Sequence, residues 1–155
     1  MMKYLFLITV ALLISNFSLA QNQQDTINTL LDSWHKAAAQ GDENIFFGLM
    51  SEGAIYLGTD ASERWTKAEF EAWSKPFFEK DKAWNFKPLK RFLYFDSTHN
   101  ICWFDEQLDT WMGICRGSGV LTRSKDGAWQ ITHYNLSMLI PNDKVNAVLT
   151  LLKGE

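Results

Sequence analysis

The hydrophobic pattern of this chain changes its period near Trp84, and this change constrains the fold more than any other feature. Before Trp84, apolar residues recur at the spacing of helices, whereas after it they alternate with polar residues between short runs of turn residues. Helices followed by a long antiparallel meander predict an α+β domain whose helices pack on one face of the sheet. The predicted helices cover residues 25–40, 42–50, 66–77 and 145–152, and the predicted strands cover 54–58, 84–87, 89–95, 100–108, 114–124 and 128–138.

The N-terminal segment, residues 1–20, indicates a cleavable secretory signal peptide. It begins with the basic Lys3, continues with an almost unbroken apolar run over residues 4–14, and ends at Ala20 with the small residues that signal peptidase prefers. The apolar run is too short for a membrane-spanning helix, which needs about 20 residues. We therefore expect residues 21–155 to form one periplasmic or secreted domain that has no membrane attachment after cleavage.

The composition of the chain excludes some partners and favours others. There are 15 Lys and Arg against 18 Asp and Glu, and this acidic balance argues against nucleic acid as a partner. The three histidines lie on separate predicted elements, and no pair of His or Cys has the spacing of a metal site, so we expect neither a metal nor a cofactor. Seven Trp and eleven Phe instead predict a core or a pocket rich in aromatic surface.

Short turns between strands restrict the register of the sheet, and the register decides which side chains share a face. A trial register assigns one face to the helices and the other to the outside. A slip of one residue in any pairing would move all side chains of a strand to the opposite face. The trial register pairs Phe95 with Ile101, Trp103 with Ser118, and Val120 with His133.

In this register the polar end of the helix-covered face carries a row of three charged residues, Arg91, Asp105 and Arg116. Two guanidinium groups against one carboxylate leave a net positive pocket floor, which suits an anionic ligand group. A purely structural ion network explains the same row equally well, because charges inside a domain need partners. The ligand-binding residues expected on or beside this face are Arg91, Trp103, Asp105, Arg116, Ser118, His133, Asn135 and Tyr56.

Acid–base catalysis has two candidate residues on the same face, Asp105 and His133. Two neighbouring cations would keep Asp105 ionised, which makes it a poor base at neutral pH. His133 has apolar neighbours, among which a lone histidine is usually a hydrogen-bonded core residue but can also act as a proton shuttle. Of the other histidines, His35 can face outward from the first helix and His99 lies in a turn. For Asp105 and His133, the sequence leaves open whether they take part in catalysis.

The opposite face is too apolar to stay in contact with solvent, and this predicts a homodimer interface. In the trial register Cys115 lies on this face opposite Glu106, four residues from Cys102, at a separation of about 13 Å. Two cysteine Cα atoms can be bridged over roughly 7 Å at most, so we expect free thiols. The predicted interface residues are Phe92, Tyr94, Phe104, Tyr134 and Leu136.

Short motifs spread over most of residues 21–155 carry a family resemblance: Gly58-Thr59-Asp60, Glu63-Arg64-Trp65, and the runs 102–106, 116–121, 129–137 and 140–143. They resemble the SnoaL-like branch of the nuclear transport factor 2-like superfamily. The resemblance implies a cone-shaped α+β fold, with N-terminal helices packed on a curved, mainly antiparallel sheet, a ligand-sized cavity between them and usually a dimer built on the outer face of the sheet. In such a cone, residues 60–65 would form a loop over the mouth, where Glu63 and Arg64 either pair with each other or contact ligand.

The superfamily includes isomerases, cyclases, hydrolases, dehydratases and proteins without known catalysis, so the fold alone does not select a function. The leading hypothesis is an exported SnoaL-like homodimer whose aromatic-lined cone binds a small, partly apolar, anionic molecule without obligatory catalysis. The alternative is an enzyme of the SnoaL-like or ketosteroid-isomerase type, an isomerase, hydrolase or cyclase, that uses His133 and Asp105. A second alternative is an association module in which the outer face, rather than the cavity, is the working surface.

Overall fold

The computed structural model describes the backbone of residues 2–80 and 83–154 and the side chains of residues 21–80 and 83–154. The predicted signal peptide falls on the first half of helix α1, where the side chains lie outside the described residues. A 3₁₀ turn (Asn142–Lys144) precedes the last helix. The helices are α1 (Met2–Gln40), α2 (Glu43–Gly48), α3 (Lys67–Phe78) and α4 (Val145–Lys153), and the strands are β1 (Met50–Leu57), β2 (Arg64–Thr66), β3 (Lys87–Phe95), β4 (Ile101–Thr110), β5 (Gly113–Arg123) and β6 (Trp129–Met138).

The six strands form one curved sheet with the order β2-β1-β6-β5-β4-β3. All neighbouring strands are antiparallel except β1 and β6, which are parallel. A parallel pair needs a long crossover connection, and here α3 and the strands of the meander provide it. Helices α1, α2 and α3 cover one face of the sheet, which confirms the predicted α+β class and the cone-shaped fold.

Helix α1 packs on the sheet through an apolar stripe. Leu31, Trp34 and Ala38 recur at helical spacing and are buried. The helix ends before Gly41, whose φ of 69° gives the left-handed conformation that closes a helix. In the described part of the chain, no helix combines the length and apolar character needed to cross a membrane.

Helix α3 begins at the predicted capping box. Thr66 N donates to Glu69 Oε2 at 2.8 Å, and Glu69 N donates to Thr66 Oγ1 at 3.4 Å. Each side chain thereby satisfies a backbone N–H that has no partner within the helix. Pro76 lies in the last turn, and the helix ends two residues later at Phe78, as expected for a residue that cannot continue the hydrogen-bond pattern.

The bounds of three strands differ from the prediction. Strand β1 begins at Met50, four residues before its predicted start at Ala54 and at the last residue of the predicted helix 42–50. Residues 64 and 65, expected in a loop, and Thr66, expected at the start of a helix, form β2 and pair with β1, for example Tyr56 with Trp65. Residues 84–86, expected in a strand, precede the sheet, because β3 begins at Lys87. A strand of three residues is too short to produce a recognisable period-two pattern.

The pairing of β3 with β4 differs from the trial register by one residue. The turn between them closes on Asp96, whose backbone N–H donates to Ile101 O at 3.1 Å. The Asp96 carboxylate also accepts the N–H groups of Asn100 at 2.9 Å and Ile101 at 2.8 Å. Phe95 therefore pairs with Cys102 instead of Ile101, and every side chain of β4 lies on the face opposite to the prediction.

Strand β5 is turned over together with β4. Trp103 pairs with Val120, two residues beyond the predicted Ser118, and a shift of two residues keeps paired side chains on the same face. The predicted faces of both strands are therefore wrong. The larger side chains that these strands bury beneath the helices are Cys102, Phe104, Glu106, Leu108, Cys115 and Leu121.

Strand β6 contains a β-bulge that changes which residues face the helices. Val120 pairs with His133, as predicted, but the next pair is Leu121 with Ile131. Thr132 is the extra residue, and its hydroxyl donates to Val120 O at 3.0 Å. Before the bulge the predicted face is correct, and beyond it the face is reversed. The side chains buried beyond the bulge are Tyr134 and Leu136.

The reversed register changes the predicted dimer interface. Phe104, Tyr134 and Leu136, expected on the open face, are buried beneath the helices. Phe92 and Tyr94 lie on the open face, as predicted, and are about half exposed. Only part of the predicted interface is therefore available to another molecule.

Both cysteines are free, but they are buried on the covered face rather than placed on the open one. Cys102 pairs with Leu121, and Cys115 pairs with Leu108. The strand positions from Cys102 to Leu108 separate the thiols by about 20 Å, given a rise of about 3.3 Å per residue. This separation is beyond the reach of a disulfide, so the prediction of free thiols is correct although its geometry is wrong.

Candidate functional site

A cavity of about 180 Å³ opens to solvent between helix α3, residues 83–86, strand β1 and the β4–β5 turn. Leu136 and Met112 contribute aliphatic surface to its wall, and Thr59 and Glu63 contribute polar groups. Most of the wall is aromatic. The aromatic side chains that line the cavity are Tyr56, Trp65, Phe70, Trp73, Phe77, Trp84, Phe86 and Trp111.

Helix α3 and strand β2 together build one wall of this aromatic cavity. Phe70, Trp73 and Phe77 share one face of α3, because they are three, four and seven residues apart. Trp65 on β2 stacks on Trp73, with ring centroids 4.7 Å apart, and on Phe70 at 5.4 Å. Tyr56 also stacks on Phe70, with ring centroids 3.9 Å apart. The buried Phe70 thus joins the wall to the core, while Trp73 remains 44% exposed at the rim.

A tight turn over residues 58–63 places the Glu63 carboxylate at the cavity. Gly58 N donates to Glu63 O at 2.9 Å, and Asp60 N donates to Glu63 Oε2 at 3.1 Å. A side chain at Gly58 would overlap with the Glu63 carboxylate, so glycine at this position leaves room for the carboxylate where it lies. Glu63 and Arg64 form no ion pair with each other, and of the two Glu63 alone lines the cavity.

The polar groups of the cavity are few and chemically distinct. Burial, and then the negative charge of Glu63, raise the pKa of Tyr56, so its hydroxyl keeps its proton and can donate a hydrogen bond. Among the described lining residues, Glu63 is the only charged one. Within the described parts of the chain, no three His, Cys, Asp or Glu side chains are grouped so as to hold a metal ion.

A second polar cluster lies beneath the helices around Glu106, which is completely buried. Arg91 pairs with Glu106 across the strands, and its Nε donates to Glu106 Oε2 at 2.9 Å. His35 Nε2 lies 2.7 Å from Glu106 Oε1. Arg91 Nη1 donates to Asp32 Oδ1 on helix α1 at 2.9 Å. We call these four residues the Glu106 network.

The charged side chains of the Glu106 network have their counter-charges within the network. Burial acts to raise the pKa of Glu106, but the hydrogen bond and charge of His35, together with Arg91, hold this pKa below its usual value. An ionised carboxylate with both oxygens engaged is a poor general base. Arg91 is shared between two carboxylates. Its Nη2 makes no hydrogen bond in the described structure, but it is buried 2.8 Å from Glu106 Oε2, so the guanidinium is not presented to an anionic ligand.

Tyr134 lies next to this network with an unusual hydroxyl. The hydroxyl is buried and has no hydrogen-bond partner in the described part of the structure. It approaches the space that a side chain at Gly117 would occupy, and Glu106 Oε1 borders the same space. Burial, and then the charge of Glu106, raise the pKa of Tyr134, so this hydroxyl is neutral. Tyr134 and Glu106 lie outside the lining of the aromatic cavity.

The predicted site residues lie in three different places. Tyr56 lines the aromatic cavity, and Arg91 belongs to the Glu106 network. The other six lie on the open face, because β4, β5 and the second half of β6 are turned over relative to the trial register. Their predicted placement in the cone is wrong, and their roles in binding or catalysis stay predictions. These six are Trp103, Asp105, Arg116, Ser118, His133 and Asn135.

The predicted charged row across the covered face does not exist. Arg91 lies on the covered face and pairs with Glu106, whereas Asp105 and Arg116 lie on the open face. The expectation of a net positive pocket floor is therefore wrong. Within the Glu106 network, one guanidinium group faces two carboxylates, which reverses the expected balance.

Sequence reasoning missed most of the Glu106 network. His35, which the sequence left free to face outward, is buried, and Glu106, expected on the open face, is its partner. One signal was available in the sequence. Asn28, Asp32 and His35 occur at helical spacing and so share one face of α1, and Arg91 Nη1 donates to Asn28 Oδ1 at 3.2 Å as well as to Asp32.

Comparison with known sequences gives a match over most of the domain. The family model described as SnoaL-like domain matches residues 27–141, which is more than half of the chain. No curated protein matches the sequence.

Solved structures share the fold at low sequence identity. A nuclear transport factor 2-like protein of unknown function from Pseudomonas putida has a TM-score of 0.64 at 12% identity, covering 81% of this chain and 92% of that chain. A proposed ketosteroid isomerase from Parabacteroides distasonis has a TM-score of 0.60 at 18% identity, covering 74% and 86%. A proposed calcium/calmodulin dependent protein kinase II association domain from Xanthomonas campestris has a TM-score of 0.55 at 19% identity, covering 73% and 85%. At these identities the likeness shows the cone-shaped fold alone.

Proposed function

This chain belongs to the SnoaL-like domain family, and we propose that it is a small-molecule-binding domain without obligatory catalysis whose ligand occupies the aromatic cavity. The main support is the cavity itself, an open space of about 180 Å³ with a mostly aromatic wall. Protein interiors are close-packed, and an unfilled apolar space loses packing energy. Ring surface at the rim, on Trp73 and Trp111, would also be stabilised by a bound apolar group.

The size and the wall of the cavity restrict the ligand. At about 180 Å³, the cavity is smaller than the roughly 300–1,000 Å³ of pockets for drug-sized ligands, so the ligand is small. Aromatic walls favour a partly apolar molecule, and the Tyr56 hydroxyl and Glu63 carboxylate offer polar contacts. The expected preference for an anion loses its basis, because Arg91 is held by Glu106 and Arg116 lies on the open face.

A substitution that fills the cavity tests this function. Ala83 lines the cavity, whereas Ala72 lies exposed on α3 outside its lining. We expect small aromatic and aliphatic compounds to raise the Tm of the native protein and of Ala72→Phe, but not that of Ala83→Phe, because the added ring occupies the site. The measurement is a thermal-shift screen of the three proteins. The proposal fails if no compound stabilises the native protein, or if Ala83→Phe is stabilised equally.

We also propose that the protein is exported and that residues 1–20 are removed. The supporting pattern is a basic start, an apolar run shorter than a membrane span and small residues before the cleavage point. The protein recovered from the periplasmic or secreted fraction should then begin at Gln21, as measured by mass spectrometry of its N-terminal peptide. Ala20→Arg should block this cleavage, whereas Gln24→Arg should not. An uncleaved chain recovered from the cytosol would contradict export.

A homodimer built on the open face is the third part of the proposal. Phe92, Tyr94, Ile101 and Trp103 are each about half exposed on this face. Tyr94 and Trp103 stack on neighbouring strands, with ring centroids 6.0 Å apart and planes 14° apart. An apolar surface of this kind is expected to be covered by another molecule. If the domain is an association module instead, this surface remains the working one while the cavity-filling test is negative.

A further inference from the structure

We propose that the ligand of the aromatic cavity is an organic cation of the quaternary alkylammonium class, bound against aromatic ring faces with the Glu63 carboxylate as its counter-charge. This inference rests on the proposed small-molecule-binding function and names the chemical class that the same site prefers. It reverses the anionic preference expected from the sequence.

The charge of the cavity favours a cation. Among the described lining residues, Glu63 carries the only charge, and its Oε2 accepts one hydrogen bond, from the N–H of Asp60. Two cations near Glu63 in the described part of the chain are directed elsewhere. Lys67 Nζ donates to Glu52 Oε1 at 2.6 Å, and Arg64 is exposed on the side of β2 opposite to Trp65. The Glu63 carboxylate is thus in position to pair with a positive charge brought by a ligand.

The ring composition favours the same charge. Four of the seven Trp in the chain, Trp65, Trp73, Trp84 and Trp111, line this one cavity. The face of an aromatic ring carries partial negative charge, so it attracts a cation and repels an anion, and Trp does so most strongly. Trp73 and Trp111 are 44% and 82% exposed, which leaves ring surface free for contact at the rim.

The few polar groups of the cavity and its size select among cations. A primary ammonium group is compact and strongly hydrated, and burying it against rings removes water that the single Glu63 carboxylate cannot fully replace. A quaternary ammonium group has no N–H donors to satisfy and presents only methyl surface to the rings. Tyr56, which also lines the site, stays neutral because burial and then Glu63 raise its pKa. A trimethylammonium group suits a cavity of about 180 Å³.

Three ligands of nearly equal shape test the charge preference. They are choline, its uncharged carbon isostere neohexanol, and the carboxylate tert-butylacetate, each titrated into the native protein by calorimetry and by Trp fluorescence. We expect choline to bind about tenfold or more tightly than neohexanol, and tert-butylacetate to bind most weakly. If neohexanol equals choline, or if the carboxylate binds best, the cation inference is overturned while small-molecule binding stands. If none of the three binds, the inference is also overturned, and the Ala83→Phe screen judges the wider function separately.

Two variants locate the effect in the proposed residues. Glu63→Gln should weaken choline binding about tenfold and leave neohexanol binding unchanged, because only the charged ligand loses a counter-charge. Glu71→Gln makes the same change of net charge at an exposed position of α3 outside the lining and should have no effect. Trp73→Leu, at a partly exposed position, keeps an apolar side chain but removes the ring, so choline should lose more affinity than neohexanol. Equal losses for choline and neohexanol in either cavity variant would overturn the inference.

Discussion

Glu106 is a completely buried carboxylate, and its partners decide what several neighbouring side chains can do. His35 engages one oxygen and Arg91 the other, while Asp32 shares the guanidinium group of Arg91. Removing one member of such a buried cluster leaves another charge buried without its partner, which typically destabilises a protein by about 3–5 kcal/mol. Arg91 is therefore committed to the stability of the fold, and a ligand could recruit it only by breaking the cluster.

Glu106→Gln should lower the free energy of unfolding by about 3 kcal/mol at neutral pH, because Arg91 then keeps only Asp32 as a counter-charge. The loss should depend on pH. The pKa of Glu106 in the folded protein lies below its ordinary value of 4.5, so its contribution is fully present above that pH and is lost as the pH falls through the folded pKa. Urea unfolding between about pH 7 and pH 3 should therefore show the native protein and Glu106→Gln converging at acid pH.

The neighbouring residue supplies a matched control for this prediction. Asp105→Asn makes the same chemical change on the open face, where the side chain is only partly buried. Its unfolding free energy should stay within about 0.5 kcal/mol of the native value and should keep the native pH dependence. If Glu106→Gln and Asp105→Asn lose equal stability, or if the Glu106→Gln curve runs parallel to the native one, the Glu106 network is not the stabilising cluster described here.

At the scale of elements, the end of α1 and the start of α3 could be predicted from the sequence, because each is set by residues within one turn. The start of α1 was not predicted, since the helix begins at Met2 rather than at residue 25. The capping box of Thr66 and Glu69 and the glycine at Gly41 are local signals, and both are found where expected. The class of the fold could also be predicted, because the change of hydrophobic period near Trp84 is likewise a local sequence signal.

The faces of the sheet could not be predicted, because each depends on a single residue that the alternating pattern does not reveal. The extra pair formed by Asp96 and Ile101 shifts β4 by one position, and the bulge at Thr132 reverses the second half of β6. Strand β4 begins with four consecutive apolar residues, 101–104, so its alternation gives no preference for either face. Every site residue assigned through that strand was misplaced as a consequence.

The candidate site shows the same division between local and long-range signals. Phe70, Trp73 and Phe77 share a helix face that the sequence pattern contains, so one wall of the cavity could have been predicted. The opposite contacts could not, because Trp65 reaches Trp73 only through β2, a strand of three residues. Glu63 is placed by the close approach to Gly58, which depends on the turn geometry rather than on any periodicity.

At the scale of the whole molecule, two apolar surfaces away from the cavity rim stay exposed in the described part of the chain. One is the open face of the sheet, where Trp103 is 46% exposed and stacks on Tyr94. The other is helix α4, an amphipathic helix on which Leu151 and Leu152 are almost fully exposed. The open face presents rigid aromatic side chains on paired strands, and such rings lose little conformational entropy when they are covered. We therefore expect the open face, rather than α4, to hold a homodimer together.

Trp103→Asp should convert this homodimer into a monomer, because it places a charge in the centre of an apolar contact and removes its largest side chain. Leu151→Asp introduces the same charge on α4 and should leave the dimer intact. The measurement is size-exclusion chromatography with light scattering, alongside circular dichroism to verify that both variants remain folded. A native protein that is already monomeric would remove the dimer from the proposed function. Dissociation caused by Leu151→Asp but not by Trp103→Asp would move the interface to α4 and leave the open face without its proposed role.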